Sequence, residues 1–379
     1  MYAARVGSVI PPMAAKQQSG RSEGSRGGST ESQPAGPASE PPEDGEENTT
    51  SVSEGGEEID TSPPSDPGAV ATPPILPESP PQSLLWRIRG MIRTVRPHQW
   101  VKNSFVLAPV VFAKHLTHPS IIKSALGAFG VFCLVAGAIY TINDLVDIDA
   151  DRHHPRKKDR PIASGRVPVA WAKAMVVGLL GVALAGAALG PTPFLLVVLG
   201  YFALNLAYSF KLKHIAYLDV GCIAAGFVLR VLAGGFATRT PVSGYMVACT
   251  WLLALFLGFG KRRHEIAGIN ASKQRAALEA YSPAVLNFAL AATGIASVAT
   301  YCAYTLDSGT RALFGSEWLW VTTVHPLFGV IRFLQLVAGR PKAESPTQEI
   351  LRDTPFMMNL VLWIAEVMVI VYHLRPGSP

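Results

Sequence analysis

Long apolar runs without a charged side chain constrain the fold of this chain more than any other feature. Residues 124–143, 240–260 and 282–306 contain no Asp, Glu, Lys or Arg, and neither does the longer run 174–210. About 20 apolar residues are needed for an α-helix to span the hydrocarbon core of a bilayer. A soluble protein of this size does not need so many uncharged runs of this length. The sequence therefore predicts a protein that crosses the membrane several times.

The number of helices follows from the same pattern. The run 174–210 is interrupted by Gly190-Pro191-Thr192-Pro193 and so predicts a helical hairpin. Weaker apolar spans lie near 103–117, 214–236, 318–337 and 355–374. We therefore expect an all-α membrane protein with about nine transmembrane helices in a bundle.

The first 83 residues differ in composition from the rest. They are rich in Ser, Gly, Pro and Glu, and they hold 13 acidic residues against 4 basic ones. Such a segment buries too little apolar surface to fold and is typical of disorder. We expect 1–83 to be a disordered acidic tail and 84–379 to be the transmembrane catalytic domain. The tail masks the charge of this domain, which is strongly basic.

Basic residues are concentrated in every second predicted loop. They precede the first span and recur between spans 2 and 3, 4 and 5, 6 and 7, and 8 and 9, the last two loops including Lys273, Arg275, Arg340 and Lys342. Loops rich in Lys and Arg usually face the cytoplasm. We expect the chain in the cell (inner or plasma) membrane, with the N-terminus cytoplasmic and the C-terminus on the opposite side. No nucleic-acid partner is expected.

Four aspartates follow the second apolar run, at 144, 147, 149 and 151. On one helix, Asp144, Asp147 and Asp151 fall within about 60° of each other, whereas Asp149 points away. Carboxylates at a membrane boundary suggest a bound cation. With the amide of Asn143, they are hard oxygen ligands suited to Mg²⁺. The alternative is a solvated acidic helix end, although the helix dipole disfavours acids at a C-terminus.

Other ionisable residues lie within or at the ends of the predicted spans. Asp219 and Arg230 are eleven residues apart and share one helical face, where they either serve the site or form a structural ion pair. Lys261 and Glu265 are spaced i, i+4. In the last two spans, Arg332 and Glu366 either serve the site or form an ion pair between neighbouring helices.

These residues together predict a central cavity that opens to the cytoplasm, with acids on one wall and Lys and Arg on the others. Such a cavity suits a Mg²⁺–diphosphate, since carboxylates hold the metal and cations hold the phosphate oxygens. Ionisation of a diphosphate leaving group builds negative charge on oxygen. The metal and the basic side chains would stabilise that charge.

With these residues in hand, the chain resembles the UbiA-type intramembrane prenyltransferase superfamily over about 90–375. The resemblance rests on Asn143-Asp144-x-x-Asp147-x-x-x-Asp151 and on the nine-helix layout. It implies an all-α bundle around a central cavity and Mg²⁺ bound to a diphosphate substrate. One feature departs from the prenyl-transferring members, which usually carry a second Asp-x-x-x-Asp motif. Here Asp219 is followed four residues later by Ile223.

The sequence looks more like the decaprenyl-phosphate phosphoribosyltransferase branch. The similar segments are 96–103, 159–165, Leu212-Lys213-His214, Arg230 with Ala233-Gly234-Gly235, and Gly260-Lys261-Arg262-x-x-Glu265. This resemblance implies transfer of 5-phosphoribosyl from phosphoribosyl pyrophosphate to a polyprenyl phosphate, with loss of pyrophosphate, in cell envelope biosynthesis. In such a reaction several anionic groups meet at one site. The site should therefore contain more cations and fewer carboxylates than the site of an enzyme with a neutral aromatic acceptor.

The resemblance also implies roles for individual residues. Metal binding is assigned to Asp144, Asp147 and Asp151, which with Lys261 form the catalytic set. Donor phosphates are assigned to Arg152, Lys157, Arg160, Lys211 and Lys213. Donor or lipid phosphate is assigned to Lys102, Lys261 and Arg262. Further substrate contacts are expected from Asn143, Asp219, Arg230 and Glu265, and from Asn103, for which a helix cap is the alternative.

Two other functions remain open at this point. The first is prenyl transfer from a polyprenyl diphosphate to an aromatic or other acceptor, which the missing second acid pair disfavours. The second is a transporter without chemistry, although no internal repeat relates the two halves of the chain.

Overall fold

A computed structural model of the chain describes residues 83–267, 280–339, 350 and 352–372. All of these residues belong to one unit, Ile75–Pro379. The predicted tail, apart from Ser83, lies outside the described residues. So do the loop residues Lys273, Arg275, Arg340 and Lys342.

The described residues form twelve α-helices and no strand. The shorter helices are α1 (Leu84–Thr94), α2 (Ala108–Phe112), α4 (Ile148–His153) and α10 (Ser308–Phe314). The longer ones are α3 (Pro119–Val146), α5 (Val169–Ala188), α6 (Thr192–Phe210), α7 (Leu218–Thr238), α8 (Gly244–Ala267), α9 (Pro283–Leu306), α11 (Val324–Gly339) and α12 (Thr354–Tyr372). Eight of the described helices are long and apolar enough to cross a membrane, α11 being counted with the turn before it. The predicted all-α membrane bundle is confirmed.

The predicted first span, near 103–117, is not a continuous α-helix. A 3₁₀ helix runs from Pro97 to Leu107 and is followed by the short α2. Pro97 and Pro109 each lack a backbone N–H, and a proline inside an α-helix breaks its hydrogen bonds. At about 2.0 Å per residue in the 3₁₀ part and 1.5 Å in α2, the segment is about 30 Å long. Hydropathy identified an apolar segment of the right length here but not its conformation.

This broken segment still runs between the two ends of the bundle. Arg96, just before it, is 2.6 Å from Asp144 at the C-terminal end of α3. His115, just after it, is 3.3 Å from the hydroxyl of Thr240, which follows the C-terminus of α7. Helices α3 and α7 are antiparallel, since the N-terminal part of α3 and the C-terminal end of α7 line a common cavity. Among the described residues, the segment therefore extends between the same two ends of the bundle as the long helices.

Helix α3 is the centre of the bundle. In its most apolar stretch 61% is buried, against 11% in α5. It packs against α5, α7 and the 3₁₀ helix, with Phe132 fully buried between them. A second core, around Phe256, Leu286 and Phe333, joins α8 to α9 and α11. In lipid such packing, rather than exclusion of water, holds helices together. The aspartates therefore stand at the end of the most enclosed helix.

Gly234 in α7 allows the 3₁₀ helix to approach closely. A Cβ at this position would lie 1.8 Å from the carbonyl oxygen of Val106, which is backbone and has little freedom to move. We expect Gly234→Ala to destabilise the protein by roughly 2–3 kcal/mol, because overpacking forces the two segments apart. A thermal unfolding curve in detergent measures this loss. Gly221→Ala in the same helix is the matched control, since its Cβ would meet no atom within 4 Å. Equal melting temperatures for the two variants would contradict this close approach.

Candidate active site

The aspartate motif spans a break between two helices. Helix α3 ends at Val146, Asp147 lies between the helices with φ −90° and ψ 8°, and α4 begins at Ile148. The backbone hydrogen bonds nevertheless continue, from Asp147 N–H to the Asn143 carbonyl and from Asp151 N–H to the Asp147 carbonyl. The break is therefore slight. Asp144 and Asp151 keep the common face that the sequence predicts, and each is only 2–3% exposed.

Two arginines neutralise this acid pair. Arg160 Nη1 is 2.6 Å from Asp151 Oδ2 and 3.2 Å from Asp144 Oδ1, so one nitrogen bridges both carboxylates. Arg96 Nη2 is 2.6 Å from the same oxygen of Asp144. Arg96 has φ 51°, a left-handed conformation that is uncommon for residues other than glycine, and its guanidinium lies over the ring of Tyr140. Buried carboxylates need such partners because an unpaired buried charge is strongly unfavourable.

The third aspartate of the motif stands apart from this pair. Within the described residues, the carboxylate of Asp147 and the amide of Asn143 make no hydrogen bond or ion pair, and Asp147 is partly exposed. No group of three His, Cys, Asp or Glu side chains in the described ranges is arranged to hold a metal ion. The residues present do fit a divalent cation in part. Asp144 and Asp151 converge on one cationic nitrogen, and their oxygens are the ligands that Mg²⁺ prefers.

A second group of charges surrounds Lys102 in the 3₁₀ helix. Lys261, Arg230 and Arg96 are each close enough to Lys102 for their positive charges to act on it. Neighbouring cations repel unless an anion lies between them. This region therefore has an excess of positive charge beside the acid pair, as expected for a site that binds phosphate.

Arg230 is buried and has neutral partners. Its Nε donates to Asn103 Oδ1 at 2.9 Å, and its Nη2 donates to the Tyr201 hydroxyl at 2.6 Å. Asn103 in turn donates to the sulfur of Cys133. The suggested Asp219–Arg230 ion pair is wrong: eleven residues correspond to about 16 Å along a helix, so sharing a face does not bring the charges together. Arg230 and Asn103 instead join α7 to the segment that carries Lys102.

Asp219, at the start of α7, is paired with Arg262 of α8. Their side chains are each about 2% exposed, and Arg262 Nε is 2.7 Å from Asp219 Oδ2. Arg262 also contacts Glu265, whose other oxygen is 3.9 Å from Lys261 Nζ. The i, i+4 pairing of Lys261 with Glu265 is confirmed. Arg262 therefore compensates the buried charge of Asp219 and joins α7 to α8.

Tyr281 completes this second cluster, although the sequence did not indicate it. Its hydroxyl donates to Asp219 Oδ1 and accepts the backbone N–H of Tyr217 at 2.9 Å. Burial, and then the hydrogen bond to Asp219, raise the pKa of the Tyr281 phenol above its ordinary value, so the phenol stays a donor. No spacing pattern connects Tyr281 to Asp219, which is 62 residues away.

The remaining predicted phosphate ligands have no contact with the acid pair. Arg152 points to the other side of α4, where it lies 3.5 Å from the exposed Asp149 and bonds the Ala163 carbonyl. Lys157 is exposed in the following loop. Lys211 caps the C-terminus of α6, and Lys213 lies in the 3₁₀ turn Leu212–His214. These lysines share the end of the bundle that carries the acid pair, because α6 runs antiparallel to α5 and parallel to α3.

The expected Arg332–Glu366 ion pair is wrong. Arg332 forms a two-point contact with Asp353, at 2.7 and 3.0 Å, while Glu366 is 2.8 Å from His325 Nε2. Asp353 lies just before α12 and His325 lies in the first turn of α11, so each charge has a nearer partner. These contacts pack α11 against α12 and do not reach the acid pair.

A cavity of about 600 Å³ lies at the opposite end of the bundle from the aspartates. It is lined by the first turns of α3, the α5–α6 turn and the end of α7, with Phe194 and Arg239 among its residues. The candidate site is therefore identified by its converging charges and not by this cavity.

Known proteins resemble this chain in sequence and in fold. The model of the UbiA prenyltransferase family matches residues 104–265. The decaprenyl-phosphate phosphoribosyltransferase of Mycolicibacterium smegmatis is 34% identical over 306 residues, which cover 77% of this chain and 95% of the relative. The protein of the same name from Corynebacterium glutamicum is 34% identical over 292 residues, covering 75% and 87%. A solved structure of a UbiA homolog from Archaeoglobus fulgidus, bound to DMAPP and Mg²⁺, superposes with a TM-score of 0.56 at 21% identity, covering 75% of this chain and 100% of that chain.

Proposed function

Because the chain belongs to the UbiA prenyltransferase family, we propose that it transfers 5-phosphoribosyl from phosphoribosyl pyrophosphate to a polyprenyl phosphate, releasing pyrophosphate. The observation that carries the proposal is the 34% identity, over three quarters of the chain, to relatives named for this activity. The likeness covers 95% and 87% of these relatives, so it is not confined to one segment of them. The enzyme is a transferase embedded in the membrane.

The charges of the site support this choice of substrates. One buried acid pair faces two arginines, and Lys102 and Lys261 add further positive charge beside it. Where a second acid pair would lie, Asp219 is neutralised by Arg262 and accepts a hydrogen bond from Tyr281. A site for a diphosphate and a lipid phosphate must compensate more negative charge than a site for a diphosphate and a neutral acceptor.

In the reaction, an oxygen of the lipid phosphate attacks C1 of the ribose as the bond from C1 to the pyrophosphate oxygen breaks. Asp144 and Asp151 would hold Mg²⁺, with Asp147 and Asn143 beside them. The metal, when bound, supplies positive charge to the leaving pyrophosphate. Arg96 and Arg160 bind its phosphate oxygens, and Lys102 and Lys261 orient the two substrates for attack.

The positions of the basic loops support an orientation for this reaction. The acid pair and the loop 154–168 lie at the end of the bundle that is richest in Lys and Arg, and such ends face the cytoplasm. Phosphoribosyl pyrophosphate is soluble and would enter there. In this proposal the chain lies in the cell membrane with its N-terminal acidic tail, 1–83, inside and its C-terminus outside, and 84–379 form the catalytic domain.

Membranes that contain the expressed chain test the proposed reaction. Labelled phosphoribosyl pyrophosphate, supplied with polyprenyl phosphate and Mg²⁺, is expected to give a labelled lipid whose mass equals that of the acceptor plus a phosphoribosyl group. A parallel sample receives a labelled polyprenyl diphosphate and an aromatic acceptor. Prenyl transfer in that sample, without label in lipid in the first, would replace the proposal with prenyl transfer.

Lys102 and Lys261 are expected to differ in the substrate that they bind. Removal of one charge-assisted hydrogen bond weakens binding by about 10- to 100-fold, so Lys102→Gln and Lys261→Gln should each raise the KM of one anionic substrate by about 10-fold or more. Steady-state kinetics with each substrate varied in turn assigns the lysine to donor or lipid. Lys158→Gln, exposed in the loop, is the matched control and should leave both values unchanged. Unchanged KM values in both test variants would remove these lysines from the site.

A further inference from the structure

The two arginines that neutralise the acid pair lie on its open side. The side chains of Arg96 and Arg160 are 27% and 28% exposed, whereas the two aspartates beneath them are 3% exposed. Arg160 belongs to a loop of turns between α4 and α5, and not to a helix. Its long side chain can therefore change position without unfolding a secondary-structure element.

The bridging nitrogen of Arg160 occupies the space between the two carboxylates. It lies 2.6 Å from one and 3.2 Å from the other, where a cation that binds both carboxylates would have to lie. A divalent metal can bind both acids only if Arg160 leaves. The displaced guanidinium then needs another anion, since a charged group that loses its partner near a buried site is unfavourable. The phosphate oxygens of the donor are the anions that would be present.

We propose that Arg160 exchanges between two anions, bridging Asp144 and Asp151 in the free enzyme and binding a donor phosphate when a divalent metal takes its place. Arg96, which sequence reasoning did not assign to the site, makes the same exchange from Asp144. Metal and diphosphate consequently bind together, and each binds weakly alone. This inference rests on the proposed function for the identity of the donor, but it requires only a diphosphate for its test.

Thermodynamic linkage makes this proposal measurable. If the diphosphate tightens metal binding by a given factor, the metal must tighten diphosphate binding by the same factor. Coupling between sites in proteins is usually about 5- to 150-fold. In this protein the coupling should depend on the positive charge at position 160, because that charge is the competitor of the metal and the ligand of the phosphate.

Binding of Mn²⁺ to the purified full-length protein, followed by electron paramagnetic resonance, tests the exchange without any turnover. In the unsubstituted protein, Mn²⁺ is expected to bind at least 10-fold more tightly when pyrophosphate is present. In the absence of pyrophosphate, Arg160→Gln should bind Mn²⁺ about 10-fold more tightly than the unsubstituted protein. Pyrophosphate should then increase the Mn²⁺ affinity of this variant only slightly. Lys158→Gln is the matched control for the loss of one positive charge in the same loop, and it should keep the full coupling.

Opposite results would overturn the exchange. Weaker Mn²⁺ binding in Arg160→Gln, or undiminished coupling with pyrophosphate, would mean that Arg160 does not compete with the metal. If Arg160→Gln fails to fold, Arg160→Lys is measured instead. Its ammonium group lacks the planar fork of the guanidinium and should hold the two carboxylates less firmly, so Mn²⁺ alone should again bind more tightly than to the unsubstituted protein. Coupling with pyrophosphate in a protein that does not consume phosphoribosyl pyrophosphate would support the exchange and overturn the proposed function alone.

Discussion

Asp144→Asn is expected to lower kcat/KM by on the order of 10²- to 10³-fold while the protein still folds and inserts. The substitution preserves the shape of the side chain and removes the charge that would hold the metal against the leaving group. Loss of electrostatic stabilisation of this kind has effects of that size. Folding should survive because the two arginines released from Asp144 remain partly exposed to water. Turnover of the phosphoribosyl lipid and size-exclusion chromatography in detergent measure the two properties separately.

Asp149→Asn is the matched control for this prediction. The same chemical change is made five residues away, on a side chain that is 86% exposed and whose ion-pair partner among the described residues is Arg152. We expect its activity to remain near that of the unsubstituted enzyme. Asp147→Asn should reduce turnover if the third aspartate also serves the metal. Equal activity of Asp144→Asn and Asp149→Asn would remove the metal site from this end of α3.

Arg262→Met is expected to have the largest effect on stability, a loss of about 3–5 kcal/mol. Arg262 is 2% exposed and is the cationic partner of Asp219, so its removal leaves a buried carboxylate held only by neutral donors. Breaking a buried ion pair from one side is destabilising by this amount. Thermal unfolding in detergent, with the loss expressed relative to the unsubstituted protein, gives the value.

Two further variants separate the ion pair from general damage to α8. Arg263→Met removes the neighbouring charge, whose contact with Asn287 is exposed, and should change stability by less than about 1 kcal/mol. In the double variant Arg262→Met with Asp219→Asn, the buried side chain at position 219 is no longer charged and Glu265 keeps its contact with Lys261, so part of the stability should return. A double variant that is less stable than Arg262→Met would contradict the pairing.

The sequence predicted the membrane spans and the acid pair because both depend on local patterns. Uncharged runs of bilayer length indicate helices whatever surrounds them, and the helical period places Asp144 and Asp151 on one face. The break at Asp147 is only one residue long, so it does not destroy that periodicity. The same pattern did not predict that Asp147 would remain apart from the other two, since a small change in backbone angles there redirects a single side chain.

Local sequence patterns could not predict contacts between segments that are distant in the chain. Asp219 pairs with Arg262 and Tyr281, and the choice of partner follows from the packing of α7 on α8 and not from any spacing. The expected Asp219–Arg230 and Arg332–Glu366 pairs failed for the same reason. Side chains on one helical face, or on adjacent helices, can point in a common direction and still lie at different heights along the bundle. The 3₁₀ conformation of Pro97–Leu107 could likewise not be predicted from hydropathy, which depends on composition alone.

In the proposed reaction, this acid pair with its arginines directs transfer of the phosphoribosyl group. Purified protein in lipid nanodiscs tests it with two donor samples, one labelled in the 5-phosphate and one labelled in the pyrophosphate. We expect the first label to enter the polyprenyl lipid and the second to leave as pyrophosphate in equal amount. Both events should need Mg²⁺ and should be lost in Asp144→Asn. Label from the pyrophosphate in lipid, or equal transfer by Asp144→Asn, would contradict it.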